Sequence, residues 1–334
     1  EGKYAEAEVI FKTIIESKFA EEIVAKAVLH LGDCFLSQNK LEKAIAKYWK
    51  VTQDYPDTEE SALGFHELGQ CYYKVGKFDA AALAFRNAIS NPNIPKGLKP
   101  WALFYLGDCY RALKKEDEAV STYDKVLAKK EASENLLQYA QYMIGLAYQS
   151  KGDYKQAVVE YQKSLLNYPD LTHHVRAVTK FCIARCYEGM DNVSKAEQEY
   201  KKIIDIPDTH YASCALLEIG RHYRNKGKYE EAIDAYKKVV ELKPDSRLAA
   251  IALSSIARCY FEQQEYDKAI SEQKKIIENY PFLDRKAIAQ FQIGFYYWKS
   301  GKYTEGIEAL QKAIDTYPDN QNLSHKQCKN LIAK

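Results

Sequence analysis

Eight cysteines in 334 residues are the first side chains in this sequence that could do chemistry, as thiolate ligands of a metal or as disulfide partners. Five of them, Cys34, Cys71, Cys109, Cys186 and Cys259, recur two residues after a small residue that itself follows Leu or Ile. Seven positions before each stands Ala27, Gly64, Ala102, Thr179 or Ala252, two turns earlier on the same helical face. This regularity reads as a stripe of small side chains for close helix packing, where free cysteine acts as a small hydrophobe. Cys182 and Cys186, four apart and near His173 and His174, could supply zinc ligands, but no second Cys/His pair matches them. The "HELGQ" stretch at His66 lacks a second histidine four residues on, and no phosphate-binding glycine loop, nucleophile elbow or kinase signature occurs. The expectation is therefore no metal, no cofactor and no catalytic residue: the chain reads as a non-enzyme. Unpaired buried thiols favour a reducing compartment and leave the localisation otherwise open.

Charge narrows the function classes. Lys plus Arg number 48 against 46 Asp plus Glu, a formal charge of +2, with no long block of one sign. That balance gives no support to binding nucleic acid or a polybasic membrane contact. No apolar run approaches the roughly 18 to 20 residues that cross a bilayer, so no membrane span is expected. A signal-peptide pattern is also missing from the first residues.

The elements that must position these residues are repeated. Segments such as "HELGQCYYKVGKFDAAALAFRNAI", "FYLGDCYRALKKEDEAVSTYDKVL" and "LEIGRHYRNKGKYEEAIDAYKKVV" are variants of one unit. Their small anchors fall at Gly32, Gly69, Gly107, Gly145, Ala184, Gly220, Ala257 and Gly294, spaced 36 to 39 residues apart. Each unit holds two stretches with helical periodicity, separated by a short turn such as Gly76-Lys77, Gly152-Asp153 or Gly301-Lys302. Pro56, Pro169, Pro207, Pro244, Pro281 and Pro318 stop the second helix, because proline disfavours helix at the residue before it. "NPNIPKGLKP", residues 91 to 100, is the one plain interruption and a candidate stiff bend, with normal repeat spacing across it.

This pattern resembles the tetratricopeptide repeat family, whose motif is matched in the sixth unit by Leu216, Ile219, Gly220, Tyr223, Gly227, Tyr229, Ala232, Tyr236 and Pro244. The spacing exceeds the family's usual 34 residues, and long-repeat proteins of the bacterial cell envelope are similar in style. The resemblance implies an all-α, right-handed α-solenoid (superhelix) of tandem helix hairpins, with about eight complete repeats plus a partial N-terminal one. The whole chain, 1–334, reads as a single solenoid: 1–18 the second helix of a truncated repeat, 19–319 eight repeats, and 320–334 a capping helix with Leu323, Leu331 and Ile332. Gly2, Tyr4, Ala7 and Phe11 match the turn and second helix of a unit whose first helix is missing, so the sequence reads as beginning inside a longer protein. Gln273 takes the slot held elsewhere by Tyr48, Phe85, Tyr123, Tyr161, Tyr200 and Tyr236, which predicts a looser seventh hairpin.

In such a family one flank of the first helices lines a concave groove. The candidate groove residues are Tyr73, Trp101, Phe104, Arg111, Tyr139, Tyr142, Phe181, Arg185, Arg221, Arg224, Arg258, Phe295 and Trp298. Together they suit a protein or peptide partner with apolar anchors and an acidic stretch. Two readings stay open for them: the aromatics equally fit packing between helices, and Arg185, Arg221 and Arg258 each have a glutamate three or four residues away. The function expected is a non-catalytic scaffold of protein interaction. Its alternatives are a structural subunit of a multiprotein assembly, such as one at a bacterial envelope, using edges and convex face, and a regulatory or substrate-recruiting arm of a larger enzyme. The oligomeric state is not legible.

Overall fold

The computed structural model describes residues 3–17, 19–168, 172–318 and 325–333. Every regular element among them is a helix, and the helices fall into two compact units, Glu1–Pro169 and Asp170–Lys334. The first unit holds a lone helix, α1 (Tyr4–Glu16), and four hairpins: α2 (Glu21–Ser37) with α3 (Leu41–Asp54), α4 (Glu59–Lys74) with α5 (Phe78–Ser90), α6 (Leu98–Ala112) with α7 (Glu116–Leu127), and α8 (Glu134–Ser150) with α9 (Tyr154–Asn167). The second holds four more: α10 (His173–Gly189) with α11 (Val193–Ile204), α12 (Thr209–Asn225) with α13 (Tyr229–Leu242), α14 (Arg247–Glu262) with α15 (Tyr266–Asn279), and α16 (Leu283–Lys299) with α17 (Tyr303–Thr316). A short α18 (His325–Ile332) buries Cys328 against Ala287, Leu310 and Ala313, with Leu331 and Ile332 beside it. Leu323 lies outside the described residues.

One turn joins every hairpin. The residue after the first helix's C-cap has positive φ in all eight: Gly76, Gly152, Gly227 and Gly301 in four, and Asn39, Lys114, Asp191 and Gln264 in the others. The next N–H then reaches back to the aromatic three residues after the anchor, as from Lys77 to the Tyr72 carbonyl at 2.9 Å and from Glu265 to that of Tyr260 at 2.8 Å. That is the six-to-one bond that closes a helix through a left-handed residue. At the other ends, side-chain caps start several first helices: Thr58, Ser133, Thr172, Asp208 and Ser246 each accept from a backbone N–H of the first turn. The proline-rich stretch after α5 is tied to the preceding loop, since Asn91 Nδ2 donates to the Pro56 carbonyl at 3.1 Å and Asn93 Nδ2 to that of Asp57 at 2.7 Å.

In six of the eight hairpins the anchor faces a ring sixteen residues later; the slot holds Gln273 in the seventh and Leu310 in the eighth. A Cβ added to Gly32, Gly69, Gly107, Gly145 or Gly220 would stand 2.5 to 2.6 Å from Tyr48, Phe85, Tyr123, Tyr161 or Tyr236. Glycine there lets the two helices close over the ring. Several of these rings are wholly buried, and Tyr48 and Tyr123 donate their hydroxyls to Asp33 and Asp108 at 2.8 and 2.6 Å. The five repeat cysteines are buried as the small-residue stripe requires, and burial pushes the thiols of Cys71 and Cys259 up to about 11 and those of Cys109 and Cys186 to about 12. Between hairpins, a Cβ on Gly64 would meet Val51 Cγ1 at 2.5 Å, so the same stripe admits the preceding second helix.

The seventh hairpin solves the loss of its ring from outside. Gln273 is 1% exposed and accepts from Ser254 Oγ at 3.4 Å. It also hydrogen-bonds Tyr296, which stands where five other hairpins have cysteine. The Tyr296 ring stacks on Phe261 with centroids 4.8 Å apart.

Candidate functional surface

With the anchor pointing at the ring slot, 100° per residue places the other positions of a first helix around its axis. Position +4 lies about 40° from the anchor, −3 about 60°, +1 about 100° and −6 about 120°. The structure sorts the predicted residues by these angles. Phe104, Tyr142 and Phe181, all at −3, lean on the slot rings of their own hairpins: Tyr123 at 5.7 Å, Tyr161 at 5.5 Å and Tyr200 at 5.3 Å. Phe104 is only 7% exposed and belongs to the core, which removes it from the groove set. Tyr73, at +4, packs edge-on against Phe78 at the start of its own second helix. Arg111, also at +4, is half-buried beside Asp108 and Glu116.

Positions −6 and +1 are less covered, apart from Asp108, which stands at +1 and is buried. In the first unit the −6 row runs Leu63, Trp101, Tyr139 across α4, α6 and α8, and Trp101 and Tyr139 are 39% and 44% exposed. In the second unit the same row is Val178, Cys214, Ile251 and Ile288, none of them buried. The +1 row there is Arg185, Arg221, Arg258 and Phe295. Leu63, Val178, Ile251 and Ile288 were not among the predicted residues, although an apolar side chain six before seven of the eight anchors was visible in the sequence.

The arginines are held to different degrees. Arg185 lies 3.8 Å from Glu188, and Arg258 donates to Glu262 at 3.1 Å. Arg221 is a clasp between hairpins: its Nε donates to Glu218 at 2.6 Å and its terminal nitrogen to Glu188, on α10, also at 2.6 Å. The buried His222 places Nε2 2.6 Å from the same Glu188 oxygen. Burial works against the Glu188 charge, but the His222 hydrogen bond and the Arg221 charge prevail and hold its carboxyl below the ordinary value. Arg224 makes only a 3.4 Å hydrogen bond to Asn225 and, among the described residues, no salt bridge. Phe295 and Trp298 continue an aromatic run along α16, with Phe291 and Trp298 each stacked 6.5 Å from Phe295.

At +1 the first unit carries acids, Asp33 and Asp108, where the second carries arginines. Glu67 on α4 faces Asp33 on α2, and burial first, then the Asp33 charge, raises its carboxyl to about 7. Its neighbour His66 is 3% exposed and lowered to about 4 by burial. Among the described residues no group of three or more His, Cys, Asp or Glu is placed to hold a metal ion, and no helix is long and apolar enough to cross a membrane.

Family models described as tetratricopeptide repeat match residues 26–58, 66–134, 139–171, 211–281 and 287–320. No curated protein matches the sequence. Among solved structures, the apo form of RapI is similar over 93% of this chain and 93% of its own, with TM-score 0.62 and 15% identity. The C-terminal part of a TPR repeat-containing protein from Cytophaga hutchinsonii is similar over 91% of this chain and 99% of its own, with TM-score 0.50 and 15% identity. At such identities the likeness speaks for the fold alone.

Proposed function

Because this chain belongs to the tetratricopeptide repeat family, whose stacked hairpins bind protein or peptide partners, we propose that it is a non-catalytic scaffold engaging a polypeptide on the inner face of its first helices. The observation that carries this reading is the exposure of Trp101 and Tyr139 at one register of neighbouring first helices, where large aromatics are available as anchors. In the second unit the arginine row beside an apolar row favours a partner segment that mixes acidic and apolar residues. The acidic side chains would meet Arg185 and Arg258, whose local glutamate partners are solvent-screened and cheap to exchange.

The test replaces Trp101 and Tyr139 together by serine and measures binding of partners captured from the native source. Loss of about tenfold or more in affinity, with unchanged helix content, is expected, since anchors of this kind are worth about 2 kcal/mol or more each. Undiminished binding would discard the inner face. A second reading is favoured by Trp49 and Leu83, each 51% exposed, and Leu166, 77% exposed, all on second helices of the first unit. These suit a structural subunit that docks by its outer side, and Trp49→Ala with Leu166→Ala should then be the damaging pair.

A further inference from the structure

Within the second unit, α12, α14 and α16 enclose a cleft of about 470 Å³, inside the range of small-molecule sites. It opens at the hairpin whose ring slot holds Gln273 instead of an aromatic. Gln273 and Tyr296, 1% and 3% exposed, form its floor, and Ile251, Ile288 and Phe295 supply apolar wall. Three guanidiniums, Arg224, Arg258 and Arg285, line it with one carboxylate, Glu262.

The charges do not cancel. Glu262 is taken by Arg258 at 3.1 Å. Arg285 lies 3.6 Å from Asp284, a carboxylate it shares with Arg247, and its buried Nε makes no hydrogen bond. Arg224 makes no salt bridge among the described residues. Arg224 is thus left unpaired and Arg285 only partly paired in a partly desolvated, part-apolar cleft, where an anion is stabilised and a cation or neutral alcohol is not. A bare inorganic anion would leave the apolar wall unused.

We propose that this cleft is a binding site for a small organic carboxylate, with one anionic group set among Arg224 and its neighbours and an apolar body against Ile251, Ile288 and Phe295. The cleft shares Arg258, Ile251 and Ile288 with the second-unit part of the proposed polypeptide surface, whereas Trp101 and Tyr139 lie in the other compact unit. The serine pair at Trp101 and Tyr139 and the Arg224→Gln variant therefore report on the two proposals separately.

Isothermal titration of the whole chain with octanoate and 4-phenylbutanoate tests it, against 1-octanol and octylammonium as neutral and cationic counterparts. Saturable binding of at least one acid is expected, with the alcohol and the amine at least about tenfold weaker. Arg224→Gln should weaken the acid by about ten- to a hundredfold, the range for a hydrogen bond to a charged group. The paired change Gln273→Tyr with Tyr296→Cys restores the arrangement of the other hairpins and should abolish binding while the melting temperature holds. Should that pair fail to fold, Arg224→Gln alone decides. No saturation by either acid, equal binding of acid and alcohol, or an unchanged affinity in Arg224→Gln would overturn the proposal. So would saturation only by an acetylated acidic peptide, in favour of an extended partner.

Discussion

At the residue scale, Glu67 has the most distinctive physical position. A carboxyl whose folded value is raised to about 7 binds more protons folded than unfolded between its ordinary value and 7. Stability therefore falls as pH rises through that window and stays low above it. Glu67→Gln should be more stable than the parent at pH 8, by on the order of 1 to 3 kcal/mol, with the gain vanishing near pH 4. Urea denaturation at the two pH values checks this, and an equal difference at both would show that the charge is not the cause. His66 has the opposite slope, since a histidine lowered to about 4 loses stability as pH falls from its ordinary value toward 4. Comparing the variant with the parent at each pH cancels the His66 contribution, which both proteins share. None of this was legible in the sequence, where Glu67 is one acid among 46. Its value depends on burial and on Asp33, thirty-four positions away, and only the stacked hairpins bring the two together.

At the element scale, the anchors, the ring slots sixteen residues on and the hairpin turns could all be read directly, because each is set by contacts within one repeat. The candidate surface was less legible. Grouping −3, +1, +4 and −6 as one flank mixed angles from about 40° to 120°, and the ring slot captures whatever lies nearest to it. Phe104, Tyr142 and Phe181 were drawn inward for that reason, while Ile251 and Ile288 were passed over. Arg285 was missed too, since it sits nine residues before its anchor and reaches the cleft by the length of its side chain. The turns make a sharper forecast. Lys114 holds φ of 59° where four sister hairpins place glycine. Lys114→Gly should stabilise the chain by about 1 kcal/mol, and Gly227→Ala should destabilise it by a similar amount, because a side chain is strained in the left-handed region. Thermal melts of the two variants, moving in opposite directions, would verify the turn; shifts of the same sign would refute it.

At the scale of the whole molecule, hairpins that bury their rings against their own anchors and their small stripes against their neighbours leave one side of each first helix uncommitted. The second helices carry a few exposed apolar residues, but among the described residues no two of them share a register on neighbouring second helices as Trp101 and Tyr139 do on first helices. The account stands on that inner side being the working face. Hydrogen exchange of the chain with and without its captured partner tests this most directly. Protection is predicted on first helices, α6 and α8 foremost, with α7 and α9 unchanged. Protection confined to the second helices would contradict it.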